Sequence, residues 1–267
     1  MATNYSFGWL PDYPDKRDLK YRFVPRSKVL KRLPDELDIR SYGPKLIYDQ
    51  GKVGSCSVQV LAGALQFREI EEEQPLVMLP SRSYCYYNVR LYEGNVDRDS
   101  GATLRGMMKS VNKYGYCNEE LWPYYDDRRI FDKPSAAAYR DGYQRTQILY
   151  ESVEQREDHI KAALSEHKPV IIGFSVYNSI DKAETTGVIP IPRRGDRLIG
   201  GHAVLLVGYS DRIRRYTFRN SWGMWGDRGY GSLPYDYLHD RDLAADFWRV
   251  LDVPDGPLVA PPISETI

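Results

Sequence analysis

Apolar positions along the chain follow a helical period first and short strand-like runs later. From Ser55 to about Glu71 the residues Val58, Val60, Leu61, Ala62, Ala64, Leu65 and Phe67 fall on every side of a helical period. That pattern predicts a helix buried on most of its faces, with Cys56 in its first turn. A second helix is predicted from Ser81 to Tyr92. A third runs from Thr103 to Tyr114, where Leu104, Met107, Met108, Val111 and Tyr114 form one stripe and Gly115 follows as a C-cap. One more, around Gln155 to Ser165, precedes Pro169. β-rich runs then take over at Val170 to Val176, His202 to Tyr209, Arg215 to Arg219, Gly229 to Leu233 and Phe247 to Leu251. Helices followed by strands indicate an α+β fold of two lobes with a cleft between them, mainly helical over 38–140 and mainly β over 141–253. Residues 1–37, rich in Pro, Asp, Arg and Tyr, read as an extended segment, and 254–267, with four prolines, as a loose tail.

Composition narrows the function without naming it. The 267 residues are 42% hydrophobic and 28% charged, within the globular range. Lys plus Arg and Asp plus Glu each total 37, so no net field draws the chain to nucleic acid or to an anionic membrane. Runs such as Ala203 to Val207 fall far short of the roughly 18 to 20 apolar residues of a membrane span. Met1 to Trp9 has neither a basic n-region nor an apolar h-region, so the expected location is cytoplasmic, or outside by a route other than a Sec-type signal. The three cysteines, 56, 85 and 117, are too few for a disulfide scaffold and leave at least one thiol free. Cys85 and Cys117 sit among tyrosines and read as buried inert thiols, with a disulfide between them left open. No Cys-x-x-Cys or paired-His spacing occurs, so no metal site and no cofactor are assigned.

The candidate chemistry begins with Cys56. A thiol attacks as thiolate, and both a helix N-terminus and a neighbouring imidazolium favour that form. Gly51-Lys52-Val53-Gly54-Ser55 supplies flexible backbone before the helix, which lets main-chain N–H groups turn toward an oxyanion, and the Gln50 amide adds a further donor. His202 opens a buried strand after Gly200-Gly201, where an imidazole needs a partner. Asn220, at the end of a later strand pattern, offers an amide oxygen that fixes the ring without removing its charge. Trp222 and Trp225 read equally as core aromatics or as shields of that bond.

Gln50 to Cys56, Gly201-His202-Ala203-Val204 and Asn220-Ser221-Trp222-Gly223 together resemble the three signature blocks of papain-like (cathepsin-type) cysteine peptidases, over about Leu33 to Val253. The His follows the Cys within the family's spacing of roughly 130 to 150 residues, and the Asn falls slightly beyond it. Val53-Gly54-Ser55-Cys56-Ser57 stands where the family has Cys-Gly-Ser-Cys and an aromatic, so one disulfide typical of secreted members is missing. With Gly8-Trp9-x-Pro11-Asp12 near the start, the chain resembles compact bacterial members.

The resemblance implies a helical lobe carrying Cys56 and an antiparallel β-barrel lobe carrying His202 and Asn220. It also implies Cys56 as nucleophile, His202 as base, Asn220 as orienter and Gln50 in the oxyanion hole. Trp222 would shield the His–Asn bond, and Gly101 and Gly201 would meet the backbone of an extended protein or peptide substrate. In some relatives an N-terminal segment fills the cleft, so residues 1–37 have two readings, a structural strap or a self-inhibitory, propeptide-like segment. The same thioester chemistry also serves an acyltransferase or transglutaminase-like enzyme. A catalytically silent binding module would be expected to lack one of the four polar groups, and all four are present.

Overall fold

Helix α1, Cys56–Glu71, has no polar face: every residue from Cys56 to Glu69 is buried. Such a helix is stable only when wrapped, and α1 touches strands of the sheet on one side and two helices on the other. The computed structural model describes residues 6–22, 33–73 and 77–251; the expected tail at 254–267 lies outside them. The two helices on α1 are α2, Arg82–Tyr92, and α3, Leu104–Tyr114. Ser81 caps α2 by accepting the Tyr84 N–H, Thr103 caps α3 by accepting that of Gly106, and Gly115 ends α3 at a φ of 73°. Short α4, Ala136–Gly142, and α5, Glu157–Ser165, complete the main helices.

Strands β1, Trp9–Leu10, β2, Glu36–Asp38, and β3, Ala102–Thr103, are too short to carry an alternation that sequence could reveal. They are followed by β4, Leu149–Ser152, β5, Val170–Tyr177, β6, Leu198–Ser210, β7, Arg215–Arg219, β8, Tyr230–Pro234, and β9, Ala244–Leu251. The large sheet is antiparallel in the order β4-β9-β5-β6-β7-β8, with β2 pairing to the end of β6. β1 and β3 form a separate parallel pair.

The closed barrel implied by the family resemblance is not found: among the described residues no pairing joins β4 to β8. Other backbone already occupies those two edges. Ser152 of β4 exchanges hydrogen bonds with Leu19 and Tyr21, both at 2.8 Å, and Ser232 of β8 bonds the 187–189 loop. Covered edges need no further strand.

Two buried arginines hold the irregular connections. Arg90, fully buried, donates to the carbonyls of Tyr86, Val96, Arg98 and Ile130, and Arg219 donates to those of Pro44 and Leu46. No described helix is long and apolar enough to cross a membrane. Replacing Arg90 with Met is expected to cost about 3 kcal/mol, because carbonyls in the 96–98 and 130 loops lose the side-chain donor that Arg90 supplies. Urea unfolding of the two chains measures that difference, and an unchanged midpoint would contradict it.

Candidate active site

At the start of α1 no side chain caps the helix. The Ser55 hydroxyl is engaged instead by Tyr124 Oη at 2.6 Å and Gln59 Nε2 at 3.1 Å. The backbone N–H groups of Cys56 and Ser57, with those of Ala203 on β6 and of Gly8, favour the Cys56 thiolate. Cys56 is thus seated where α1 meets β6, beside the residue that follows His202.

His202 is fully buried. Its Nε2 lies 2.8 Å from Asn220 Oδ1, while its Nδ1 is buried without a hydrogen-bond partner among the described residues. The antiparallel register of β6 and β7, with Leu205 opposite Arg219, brings Asn220, just past β7, back beside His202. Trp222 stacks on the imidazole with centroids 4.2 Å apart at 20°, and Phe174 meets it edge-on at 5.8 Å. His202 and Asn220 are thus buried beside two aromatic rings.

Gln50 is fully buried, and its amide is held at both ends: Oε1 accepts from Ser221 Oγ at 2.7 Å, and Nε2 donates to Val53 O at 2.9 Å and to Ser6 O at 3.1 Å. The last contact belongs to an N-terminal strap, residues 6–22, whose first residues pass between Gly54 and Gly101 on one side and Gly200 and Gly201 of β6 on the other. Gly8 donates its N–H to Gly201 O at 3.1 Å and accepts from the N–H of Ala102 at 2.8 Å. Gly101, expected at a substrate backbone, gives its own N–H to Tyr86 Oη at 3.1 Å; the strap takes the neighbouring Ala102 N–H instead. Gly101 is needed for clearance, since at its φ of 73° a Cβ would stand 2.2 Å from Gly8 O. A Cβ on Gly8 would stand 1.8 Å from Gly54 O, so the strap passes the thiol only because it has no side chain there. Phe7 lies against Trp222 with ring centroids 6.2 Å apart, and Trp9 lies over Gly173 and Gly201.

Of the seven residues singled out by sequence, Gln50, Gly101 and Gly201 meet the strap and Trp222 lies against its Phe7, while His202 is bonded to Asn220 under Trp222 and Cys56 opens α1. Sequence reasoning missed Ser221, which fixes Gln50, and also Trp9 and Asp246, whose Oδ2 accepts the Trp9 Nε1–H at 2.9 Å. The only signal for Asp246 was a lone acid interrupting the apolar run of β9. Cys85 and Cys117 are both free and buried, and no group of three potential metal ligands occurs among the described residues.

A papain family cysteine protease model matches residues 33–241. This chain belongs to that family. It is 34% identical to an uncharacterized peptidase C1-like protein of Acanthamoeba polyphaga mimivirus, over 94% of this chain and 88% of the viral one. It is 26% identical to cathepsin 7 of Rattus norvegicus, over 77% and 62%. Among solved structures, xylellain, a cysteine protease from Xylella fastidiosa, superposes with a TM-score of 0.86 at 41% identity, over 94% of this chain and 97% of that one. Digestive procathepsin L 3 of Tenebrio molitor shares the fold at a TM-score of 0.68 and 20% identity, over 92% and 76%. The protein is accordingly a cysteine protease.

Under the strap, burial acts on the thiol and the imidazole in opposite directions. It pushes the Cys56 thiol up to about 11 against the pull of four backbone N–H groups, and it lowers His202 to about 4 against the Asn220 bond. Both groups are therefore neutral between those values. At pH 7 the whole chain is expected to react with iodoacetamide at Cys56 about a hundredfold more slowly than an unperturbed thiol, with the rate climbing toward pH 11. Peptide mass mapping over time reads this rate, and fast alkylation at neutral pH would refute the neutral pair.

Proposed function

We propose that the protease uses Cys56, His202, Asn220 and Gln50 as its catalytic groups and that its N-terminal strap holds them inactive. The observation that carries the reading is the seat of Cys56. Its thiol lies at an uncapped helix start and against the N–H next to His202, whose ring is already oriented by Asn220. In the open enzyme His202 takes the thiol proton, and the thiolate forms a bond to the scissile carbonyl carbon. The Gln50 amide and the Cys56 N–H hold the oxyanion. The C–N bond then breaks as His202 protonates the leaving amine, and water, activated by His202, releases the acyl group. Substrate backbone lies extended between Gly101-Ala102 and Gly201, with Trp222 shielding the His202–Asn220 bond.

Support for inhibition comes from what the strap uses up. The Gln50 amide is spent on Ser6 O and the groove's hydrogen bonds on Gly8. Away from the groove, Arg105 on α3 clamps the strap. It pairs with Asp18 at 2.6 Å, donates to Tyr13 O at 2.6 Å, and its backbone N–H reaches Asp12 at 3.1 Å. Residues 1–37 are thus read as a propeptide-like segment.

The test uses the chain folded whole, with a site-specific protease sequence replacing residues 23–32, assayed on fluorogenic peptides before and after cutting and removal of the freed fragment. Cutting is expected to raise hydrolysis by about a hundredfold, the penalty of competing with a tethered occupant. Cys56→Ala is expected to abolish hydrolysis in both forms. Equal activity before and after cutting would make the strap structural, and activity surviving in Cys56→Ala would move the nucleophile elsewhere. Arg105→Ala in the uncut chain is expected to raise activity about tenfold by removing charge-assisted bonds to the strap; an unchanged rate would show that the clamp is unimportant.

A further inference from the structure

The turn that leads into Cys56 is tied to the loop that carries Gly101 by an acid that the catalytic reading does not use. Residues 51–55 form neither helix nor strand, and with all three cysteines free no disulfide holds them. Three side chains do so instead. Gln50 Nε2 donates to Val53 O at 2.9 Å, and Tyr124 Oη engages the Ser55 hydroxyl at 2.6 Å. Between these points Asp99 takes the Gly54 N–H, with Oδ2 and Oδ1 at 3.1 and 3.2 Å.

Asp99 reaches Gly54 from the connection between α2 and β3, two residues before Gly101. Its Oδ1 also accepts from the Tyr86 hydroxyl of α2, and the same hydroxyl oxygen accepts the Gly101 N–H at 3.1 Å. A continuous chain of hydrogen bonds therefore joins the Gly54 N–H to the Gly101 N–H through one carboxylate and one hydroxyl. Every proton in it has a single direction, because the carboxylate only accepts and both ends only donate. Bonds to a carboxylate are also the stronger kind. Arg90 backs the chain: its guanidinium carbon lies 4.2 Å from the Tyr86 ring centroid, and it donates to Arg98 O at 3.0 Å, one residue before Asp99. The gap that Gly8 crosses has Gly54 on one side and Gly101 on the other, so Asp99 and Tyr86 join its two walls.

We infer that Asp99 is a positioning residue for peptide hydrolysis: it fixes the backbone before Cys56, and with it the Cys56 N–H that serves the oxyanion, relative to the backbone at Gly101. The inference rests on the catalytic reading above, in which that N–H and the Gln50 amide hold the oxyanion. Asp99 itself touches neither the thiol nor the substrate. Oxyanion donors act where charge develops, so a turn free to drift costs turnover before it costs binding. Alkylation of the thiol by iodoacetamide displaces iodide from a saturated carbon and develops no oxyanion, so its rate is independent of the turn. Asp99 is exposed, and its replacement leaves the core untouched.

The experiment uses the chain folded whole, cut in 23–32 and freed of the strap. It reads kcat and KM on a fluorogenic peptide, and separately the rate at which iodoacetamide labels Cys56. Asp99→Ala is expected to lower kcat at least about tenfold while labelling stays within about twofold of the unmutated rate. Asp99→Asn, whose side-chain oxygen still accepts, is expected to keep kcat within about threefold of the unmutated value. Tyr86→Phe keeps the Gly54–Asp99 bond and cuts the link to Gly101; it is expected to raise KM about fivefold, the worth of one neutral hydrogen bond, and to spare kcat. An unchanged kcat in Asp99→Ala would overturn the inference and leave the peptidase reading standing. Hydrolysis and labelling falling together would overturn it too, since that pattern marks a disturbed thiol and not a displaced oxyanion donor. If the unmutated cut chain hydrolyses nothing, the peptidase reading fails first and the inference with it.

Discussion

The seam between α1 and β6 is the constraint on which the rest of the structure depends. α1 has no face for water, so its first residue is fixed wherever the helix packs, and Gly63 lets the helix come within 3.3 Å, measured from a would-be Cβ, of Leu205 on β6. β6 is in turn held by β5 and β7, and the β7 register returns Asn220 to His202. The position of Cys56 relative to His202 is therefore set by core packing over the length of a helix, not by a local loop. Loops at the site only trim it: Ser221 fixes the Gln50 amide, and Tyr124 Oη donates to Gln50 O at 2.9 Å while engaging the Ser55 hydroxyl.

Electrostatics at this seam depend on water more than on charge. The helix start and four N–H groups favour a thiolate, yet burial outweighs them and the thiol is raised, while the imidazole loses its proton for the same reason. A pair that is neutral when dry can become ionic when wet without any side chain moving far. The strap lies beside it and meets the groove with its own polar groups: Gly8 bonds to Gly201 and Ala102, and Ser6 to Gln50.

Much of this was legible in the chain itself. The helices beginning near Cys56 and Leu104 and the strands around Val170 and His202 announce themselves because each is nearly all apolar or cleanly striped, and the shorter strand at Arg215 by its alternation. The ordered Gln, Cys, His and Asn blocks pointed to the family for the same reason that motifs generally do, since their chemistry tolerates few residue types. What stayed hidden was non-local. β1 and β3 have two residues each and pair across the whole helical half, so no period marks them. Asp246 is aimed by a bulge that exists only once β5 and β9 are side by side. The open sheet likewise could not be foreseen, because its last edges are covered by the strap and by the 187–189 loop, neither of which has a strand pattern.

The close pass of Gly8 between Gly54 and Gly101 has a consequence for how this protein can vary. Where most proteins lose activity when an interlocked glycine is replaced, on the inhibitory reading this one would lose restraint. Any missense change at Gly8 adds a side chain that the passage cannot hold, so the mutational path of least resistance leads toward an unregulated protease. A lineage that keeps the strap must therefore purge gain-of-function alleles at that codon.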